Sequence, residues 1–221
     1  MTAVRQAEVV IAIGPIGITD TALATLALSL VLVLVVALMR RTRGGHEILE
    51  VIYAWLEGHL ARLAPIDPRP LVPLIVTQWI FVLAANLSGL LPRVHPPTAD
   101  LSVTAALAAI AFVAGHVHGF ATQGWRYLAH YVQPNPLLLP FNIIGELSRT
   151  IAMALRLFGN MMSGQLIAAI LTMLVGLLLP LPLMLLSVLT AVVQAYIFGV
   201  LTLVFTTSTA AAAAPRPRRP A

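Results

Sequence analysis

Arg156 is the only charged residue between positions 150 and 215, a long and mainly apolar part of the chain. An arginine at the centre of a bilayer costs about 3 kcal/mol on insertion scales, so it normally faces protein or water. Its guanidinium stays protonated, so it can attract an anion or oppose a cation but cannot relay protons. Because no Asp or Glu follows Glu146, a carboxylate partner for Arg156 is expected from another subunit.

Amide and hydroxyl side chains accompany this arginine. Asn160 follows Arg156 at i+4 and shares its helical face. In the next apolar segment Ser187, Thr190 and Gln194 also fall on one face. Two helices joined by a tight turn are neighbours, so Arg156 can meet Gln194, although the spacing alone does not fix their relative depth.

The composition predicts an integral membrane protein. The chain has 221 residues, 59% hydrophobic and 10% charged, whereas soluble domains carry about 25% charged residues. Its apolar blocks reach the ~20 residues that a bilayer span requires, which disfavours a buried soluble core. We expect one transmembrane domain over residues 1–208 and a disordered basic tail over 209–221.

The predicted fold is all-α, with five membrane-crossing helices and an amphipathic helix. Residues 47–63 have the helical periodicity of a surface helix. The fourth crossing would run ~60 Å if straight, so a strongly tilted or kinked helix is expected there, followed after a tight turn by its partner helix. The predicted crossings are 21–39, 71–91, 101–115, 137–178 and 184–207. The expected caps are Thr19 or Asp20 for the first crossing and Thr98 or Asp100 for the third.

The arginines predict the orientation. The first connection and the C-terminal tail carry most of them, while the opposite side carries only Arg5 and Arg93. The positive-inside rule therefore places the first connection and the C-terminus in the cytoplasm and the N-terminus outside.

Residues 146–166, ELSRTIAMALRLFGNMMSGQL, closely resemble the hallmark segment of subunit a of F-type ATP synthases. The resemblance continues, in family order, through most of the chain. Further matching segments are NLSGLLP (86–92), PPTADLSVT (96–104), PNPLLLPFNIIGELSR (134–149) and VVQAYIFGVLTLVF (192–205).

This resemblance implies a non-catalytic stator subunit in the bacterial cytoplasmic membrane, with two half-channels for ions. It also implies that the last two helices are long and strongly tilted as a hairpin against a rotating ring. The implied partners are a ring of c subunits, other membrane and peripheral-stalk subunits, and the lipid bilayer. Arg156 takes the position of the family's essential arginine, which separates the half-channels and meets each ring carboxylate. Gln194 takes the position of the glutamine opposite it, and Asn160 that of the motif asparagine.

Two positions depart from the family pattern. Many members have Glu where this chain has Gln165, and His or an acid where it has Ser187. Ions are therefore expected to pass a hydrated cavity that includes Asn86, with H⁺ as the coupling ion and Na⁺ as the alternative. Glu146 is the candidate for the exit path, or else a helix N-terminal acid paired with Arg149.

Other functions have less support. A free-standing secondary transporter that uses Arg156 as an anion site remains the alternative, although no internal repeat supports it. His116 and His118 form an H-x-H pair without a neighbouring acid or cysteine, so surface or lining roles are favoured over a metal site. The sequence has no phosphate-binding loop, so we expect no ATP chemistry, cofactor or nucleic-acid partner on this chain.

Overall fold

The computed structural model describes residues 9–13, 16–64, 69–90, 96–125, 127, 135–175 and 180–212. Within these ranges the chain is almost entirely helical, which confirms the predicted fold class. The six helices are α1 (Asp20–Arg41), α2 (Arg43–Leu63), α3 (Val72–Ser88), α4 (Leu101–Gln123), α5 (Leu139–Val175) and α6 (Pro180–Ala212). Arg5, Arg93, Arg126 and the tail beyond residue 212 lie outside the described residues.

A short antiparallel pair of strands, β1 (Val9–Ile13) and β2 (Ile16–Thr19), precedes α1. The sequence does not predict this pair of strands. Gly14 and Pro15 interrupt the apolar stretch, and the remaining stretch is too short to show whether it forms a strand or the start of a helix. The hairpin leads directly into the first long helix.

In the described part of the chain, four helices are long and apolar enough to cross a membrane. They are Asp20–Arg41, Leu101–Gln123, Leu139–Leu174 and Met184–Thr207. The fifth predicted crossing, α3, is apolar but only 17 residues long. The membrane class is therefore confirmed, and five crossings with a terminal hairpin remain a prediction.

Side-chain caps set two of the helix starts. The Thr19 hydroxyl accepts a hydrogen bond from the backbone N–H of Ala22 at the start of α1. Asp100 accepts one from the backbone N–H of Ser102 at the start of α4. Each cap satisfies one of the backbone donors that a helix leaves unpaired at its N-terminus.

The third predicted crossing is too short at its C-terminal end. Helix α4 continues to Gln123, so His116 and His118 lie in a helix rather than in an interfacial connection. It ends at Gly124, whose φ of 57° is a backbone conformation that glycine adopts without steric cost. The polar residues of 116–123 misled the prediction, because helix packing tolerates them where neighbouring helices supply partners.

Helix α6 lies at the centre of the helix packing. It contacts α3, α4 and α5, and the shared core includes Val82, Leu107, Leu157 and Phe198. Gly199 lets the Trp79 ring come very close to α6, where the indole N–H donates to the Tyr196 carbonyl at 3.1 Å. Helix α1, by contrast, has no buried residue, as expected for a helix surrounded by lipid.

The amphipathic helix α2 is confirmed as a helix, with Leu60 as its buried contact with α3 and α6. His59 forms a 3.0 Å hydrogen bond with the Tyr196 hydroxyl and stacks on Trp55. Its remaining apolar face, including Val51, is exposed. Helix α2 is thus attached to the bundle by one end of its apolar face.

Candidate functional site

Helices α5 and α6 are joined by a polar contact near their middles. The Asn160 amide nitrogen donates to the Gln194 side-chain oxygen at 2.5 Å. Gln194 is buried, whereas Asn160 is exposed. The structure therefore pairs Gln194 with the asparagine one turn beyond Arg156, and both predicted residues belong to one site.

Arg156 lies one turn before Asn160 with its side chain exposed. Behind it, Met153 and Leu157 are buried in the core against α4 and α6. Within the described residues the structure gives the guanidinium no hydrogen bond or ion pair. The arginine thus stands on the outer face of the bundle, where a partner chain or solvent can reach it.

Small residues surround Arg156 on this face. A carbon atom added at Gly159 would meet no neighbouring atom within 4 Å, so the surface beside the arginine is open. Small side chains let another helix backbone approach closely. We call this surface the arginine face; its small residues are Gly145, Ser148, Ala152, Gly159 and Ser163.

A buried cluster of neutral polar groups surrounds Asn86 at the C-terminal end of α3. The Asn86 side chain is only 2% exposed. Its oxygen accepts from the Thr98 hydroxyl at 2.8 Å, and its nitrogen donates to the Ala191 carbonyl at 3.5 Å. We call Asn86, Thr98 and the Ala191 carbonyl the amide cluster.

Asp100 lies beside the amide cluster and connects α4 to α1. Its carboxylate accepts hydrogen bonds from the Thr21 hydroxyl at 2.8 Å and the Ser102 hydroxyl at 2.7 Å. Partial burial raises the pKa of Asp100, but these bonds and the Ser102 backbone bond outweigh it, so the net pKa is lowered. The carboxylate is therefore ionised at neutral pH and holds the start of α1 against the start of α4.

A second polar cluster lies at the opposite end of the bundle, where α4, α5 and α6 meet. Glu146 Oε2 is 3.7 Å from His116 Nε2, and both side chains are partly exposed. The Arg149 guanidinium lies 5.7 Å from the centre of the Phe205 ring. We call Glu146 and His116 the titratable cluster; Arg149 lies beside them.

A cavity of about 30 Å³ adjoins this cluster, large enough to hold a water molecule. Side chains from three helices surround it, including Glu146, Arg149, Thr150, Thr202 and Thr206. The three threonine hydroxyls donate to carbonyls of their own helices, which leaves their oxygens as acceptors. This end of the bundle can therefore bind water or a small cation.

Gln165 and Ser187 are half-buried on α5 and α6. They lie on the side of the Asn160–Gln194 contact away from Glu146, about 8 Å along α5 and 10 Å along α6. Ser187 is one turn before Ala191, whose carbonyl belongs to the amide cluster. The predicted role of Gln165 and Ser187 in ion passage remains a prediction.

Sequence reasoning missed two of these contacts. The sequence indicates Thr98 only as a candidate helix cap, and it indicates no partner for His116. A buried amide requires a partner, but the sequence does not say which hydroxyl supplies it. No group of three or more His, Asp or Glu residues in the described ranges could hold a metal ion.

The fold and the site define a multi-helix membrane protein with an arginine on an open helix face between two polar clusters. The family model described as ATP synthase A chain matches residues 21–207, and the chain belongs to this family. ATP synthase subunit a 1 of Hahella chejuensis is 44% identical over 198 residues, covering 87% of this chain and 85% of that protein. ATP synthase subunit a 2 of Pelobacter propionicus is 44% identical, covering 87% of each chain.

A third relative, ATP synthase subunit a of Legionella pneumophila (strain Corby), is 46% identical over 157 residues. That match covers 71% of this chain and 68% of the relative. The expected family is thereby confirmed by a family model and by relatives that span most of the chain.

Proposed function

We propose that this chain is the ion-translocating stator subunit of an F-type ATP synthase in a bacterial cytoplasmic membrane. The observation that carries the proposal is the exposed Arg156, which lies on an open face of a long apolar helix between two polar clusters. Family membership supports this role over the free-standing transporter that the sequence left open.

The arginine face is the surface on which a ring of c subunits would turn. A fixed guanidinium in the membrane requires a counter-charge or water, and the chain has no acid after Glu146. A carboxylate on a neighbouring helix meets this need, and the small residues around Arg156 let that helix come close. Arg156 then attracts each carboxylate in its ionised form and opposes direct ion passage along the face.

The proposed half-channels open at the two ends of the bundle that these polar clusters mark. Glu146 precedes Arg156 by ten residues, about 15 Å along α5, and Asn86 lies towards the other end of the bundle. Ions would enter beside the amide cluster, Gln165 and Ser187, reach the ring near Asn160 and Gln194, and leave past Glu146. The separation forces an ion to travel on the ring between the two paths.

The orientation follows from the arginines that flank the helices. With the connection after α1 and the C-terminus in the cytoplasm, the N-terminus and the amide cluster lie outside. The titratable cluster then lies near the cytoplasmic end. We expect the peripheral-stalk and other membrane subunits to bind the remaining surface.

The coupling ion is proposed to be H⁺, with Na⁺ as a second candidate. Na⁺ is favoured by one observation: Gln165 and Ser187 do not titrate, so the outer path offers oxygen ligands rather than a proton relay. ATP hydrolysis by the purified complex, measured with and without Na⁺, distinguishes the two. Activity that does not depend on Na⁺ excludes the second candidate.

The main test is Arg156→Ala in the assembled complex. We expect ATP-driven ion uptake by inverted membrane vesicles to fall below about one tenth of the unmodified rate, because the ring carboxylate loses its counter-charge. Arg62→Ala, which removes an exposed arginine from α2, serves as the matched control. Full ion uptake by an assembled Arg156→Ala complex would show that the proposed role is wrong.

A further inference from the structure

His116 and Glu146 face each other across the contact between α4 and α5. The Nε2 atom of His116 is 3.7 Å from a carboxylate oxygen of Glu146. His116 also packs against the Phe112 ring, with ring centres 4.2 Å apart, and edge-on against Tyr127. The imidazole is thus held in place by its own helix while one nitrogen is directed at the acid.

The hydrogen bond of the other nitrogen fixes the tautomer. Nδ1 of His116 lies 2.9 Å from the carbonyl oxygen of Phe112. A carbonyl oxygen can only accept a hydrogen bond, so Nδ1 carries a hydrogen. Nε2 is then the nitrogen at which the imidazole can exchange a proton. Nε2 is also the ring nitrogen that faces Glu146.

A proton stabilises this arrangement. An ionised carboxylate and the lone pair of a neutral imidazole nitrogen repel each other, whereas a proton on either atom makes the contact favourable. At 3.7 Å the two atoms are too far apart for a direct hydrogen bond, but Glu146 also lines a cavity that has room for a water molecule. The pair can therefore hold one proton and exchange it through water.

The surroundings favour exchange over a permanent ion pair. The other described titratable or charged groups around this site are Tyr127, beside the imidazole, and Arg149, which lines the cavity. Helix α6 contributes Thr202 and Thr206, whose hydroxyl oxygens are available to accept from water. Both His116 and Glu146 retain partial exposure, so neither is enclosed by the chain itself.

We infer that His116 is a proton-exchanging residue of the half-channel that contains Glu146. The inference rests on the proposed function and assigns a residue of α4 to the ion path. In the step, the imidazolium of His116 gives its Nε2 proton through water to the Glu146 carboxylate. Imidazole and carboxylic acid result, and the acid then releases the proton to water.

The test uses His116→Asn and His116→Gln in the assembled complex, with His118→Asn as the matched control. Two different replacements of the imidazole are used because one variant could fail to assemble. Co-purification of the subunit with the complex shows which variants assemble. We expect both to lower ATP-driven proton uptake by inverted vesicles roughly tenfold, because a positioned proton donor contributes at least that much. They should also flatten the dependence of the rate on pH between about 5 and 8, where histidine changes its charge.

A third variant separates proton exchange from a structural ion pair. His116→Lys keeps a positive charge opposite Glu146 but does not exchange its proton readily near neutral pH. We expect it to be as defective as His116→Asn. If His116→Lys restores the unmodified rate and pH profile, the contact is only an ion pair and the inference is wrong.

The outcome for Arg156 distinguishes failure of this inference from failure of the proposed function. If Arg156→Ala abolishes ion uptake while both imidazole replacements keep the normal rate and pH profile, the inference alone fails. If Arg156→Ala also leaves uptake unchanged, the proposed function fails with it. Proton-independent uptake of Na⁺ that is unaffected by His116→Asn likewise overturns the inference.

Discussion

The amide cluster and the titratable cluster occupy opposite ends of the same helix bundle but differ in chemistry. Asn86 and Thr98 are almost completely buried and satisfy each other with neutral hydrogen bonds. Glu146 and His116 are partly exposed and face each other at ion-pair distance, and Glu146 lines a cavity. One cluster is closed, while the other retains exposure and borders a cavity.

This difference indicates different roles. Burying a neutral polar pair stabilises a helix contact only if both partners are present, so the amide cluster is well suited to fix α3 against α6. Groups that titrate and contact water are suited to ion movement. Loss of the titratable cluster should therefore affect function, and loss of the amide cluster should affect stability.

The largest effect is expected from Glu146→Gln. The amide keeps the size of the side chain but cannot take up a proton, so we expect ATP-driven ion uptake to fall roughly tenfold or more. Uptake by inverted membrane vesicles measures this, and Glu47→Gln on the exposed face of α2 is the control. Normal ion uptake by Glu146→Gln would show that the titratable cluster does not have the functional role assigned to it.

A smaller effect, on stability, is expected from Asn86→Ala. The change leaves the buried Thr98 hydroxyl without its acceptor, which should lower the free energy of unfolding by about 1–3 kcal/mol. Thermal unfolding of the purified complex measures it.

A double-mutant cycle sharpens the same prediction. Asn86→Ala and Thr98→Val should couple by about 0.5–3 kcal/mol, because they remove one shared hydrogen bond. Thr122→Val is the matched control, since Thr122 bonds only to carbonyls of its own helix. Strictly additive effects would mean that the Asn86–Thr98 bond contributes nothing.

The smallest effect is expected from Asp100→Asn. The pKa of Asp100 in the folded protein lies below its ordinary value of 3.8. Above pH 3.8 the ionised carboxylate therefore stabilises the fold through the hydrogen bonds that it accepts. This stabilisation is lost as the pH falls through the folded pKa.

The corresponding measurement compares midpoint temperatures of thermal unfolding at neutral pH and at about pH 3. Asp100→Asn should have the lower midpoint at neutral pH, by less than Asn86→Ala, and the gap should narrow as the pH falls below 3.8. A gap that stays constant or widens in acid would show that the charge of Asp100 does not support the α1–α4 contact.

Most of the helices could be predicted because their signals are local. Apolar blocks marked α1, α5 and α6, and Thr19 and Asp100 act as the expected caps. The error at α4 has a physical cause: histidines and small polar residues after Gly115 resemble a surface connection, and only packing against neighbouring helices makes them helical.

The sequence predicted individual residues of the candidate site but not all of the contacts between them. Residue spacing placed Arg156 and Asn160 on one face and allowed Gln194 to meet them without fixing its depth, and the structure joins Asn160 to Gln194. Residue spacing could not show that Thr98 binds Asn86 or that His116 faces Glu146, contacts that appear only in the structure. Those partners are separated along the chain by loops that carry no signal of relative depth.

The sequence by itself determined the membrane class, the family segments and the unpaired charge of Arg156, because hydropathy, spacing and residue type are properties of the chain. Only the tertiary structure decided which polar groups are buried as neutral pairs and which face water. The reason is geometric: helical periodicity fixes the face of a residue, but the relative translation and tilt of packed helices fix its partner.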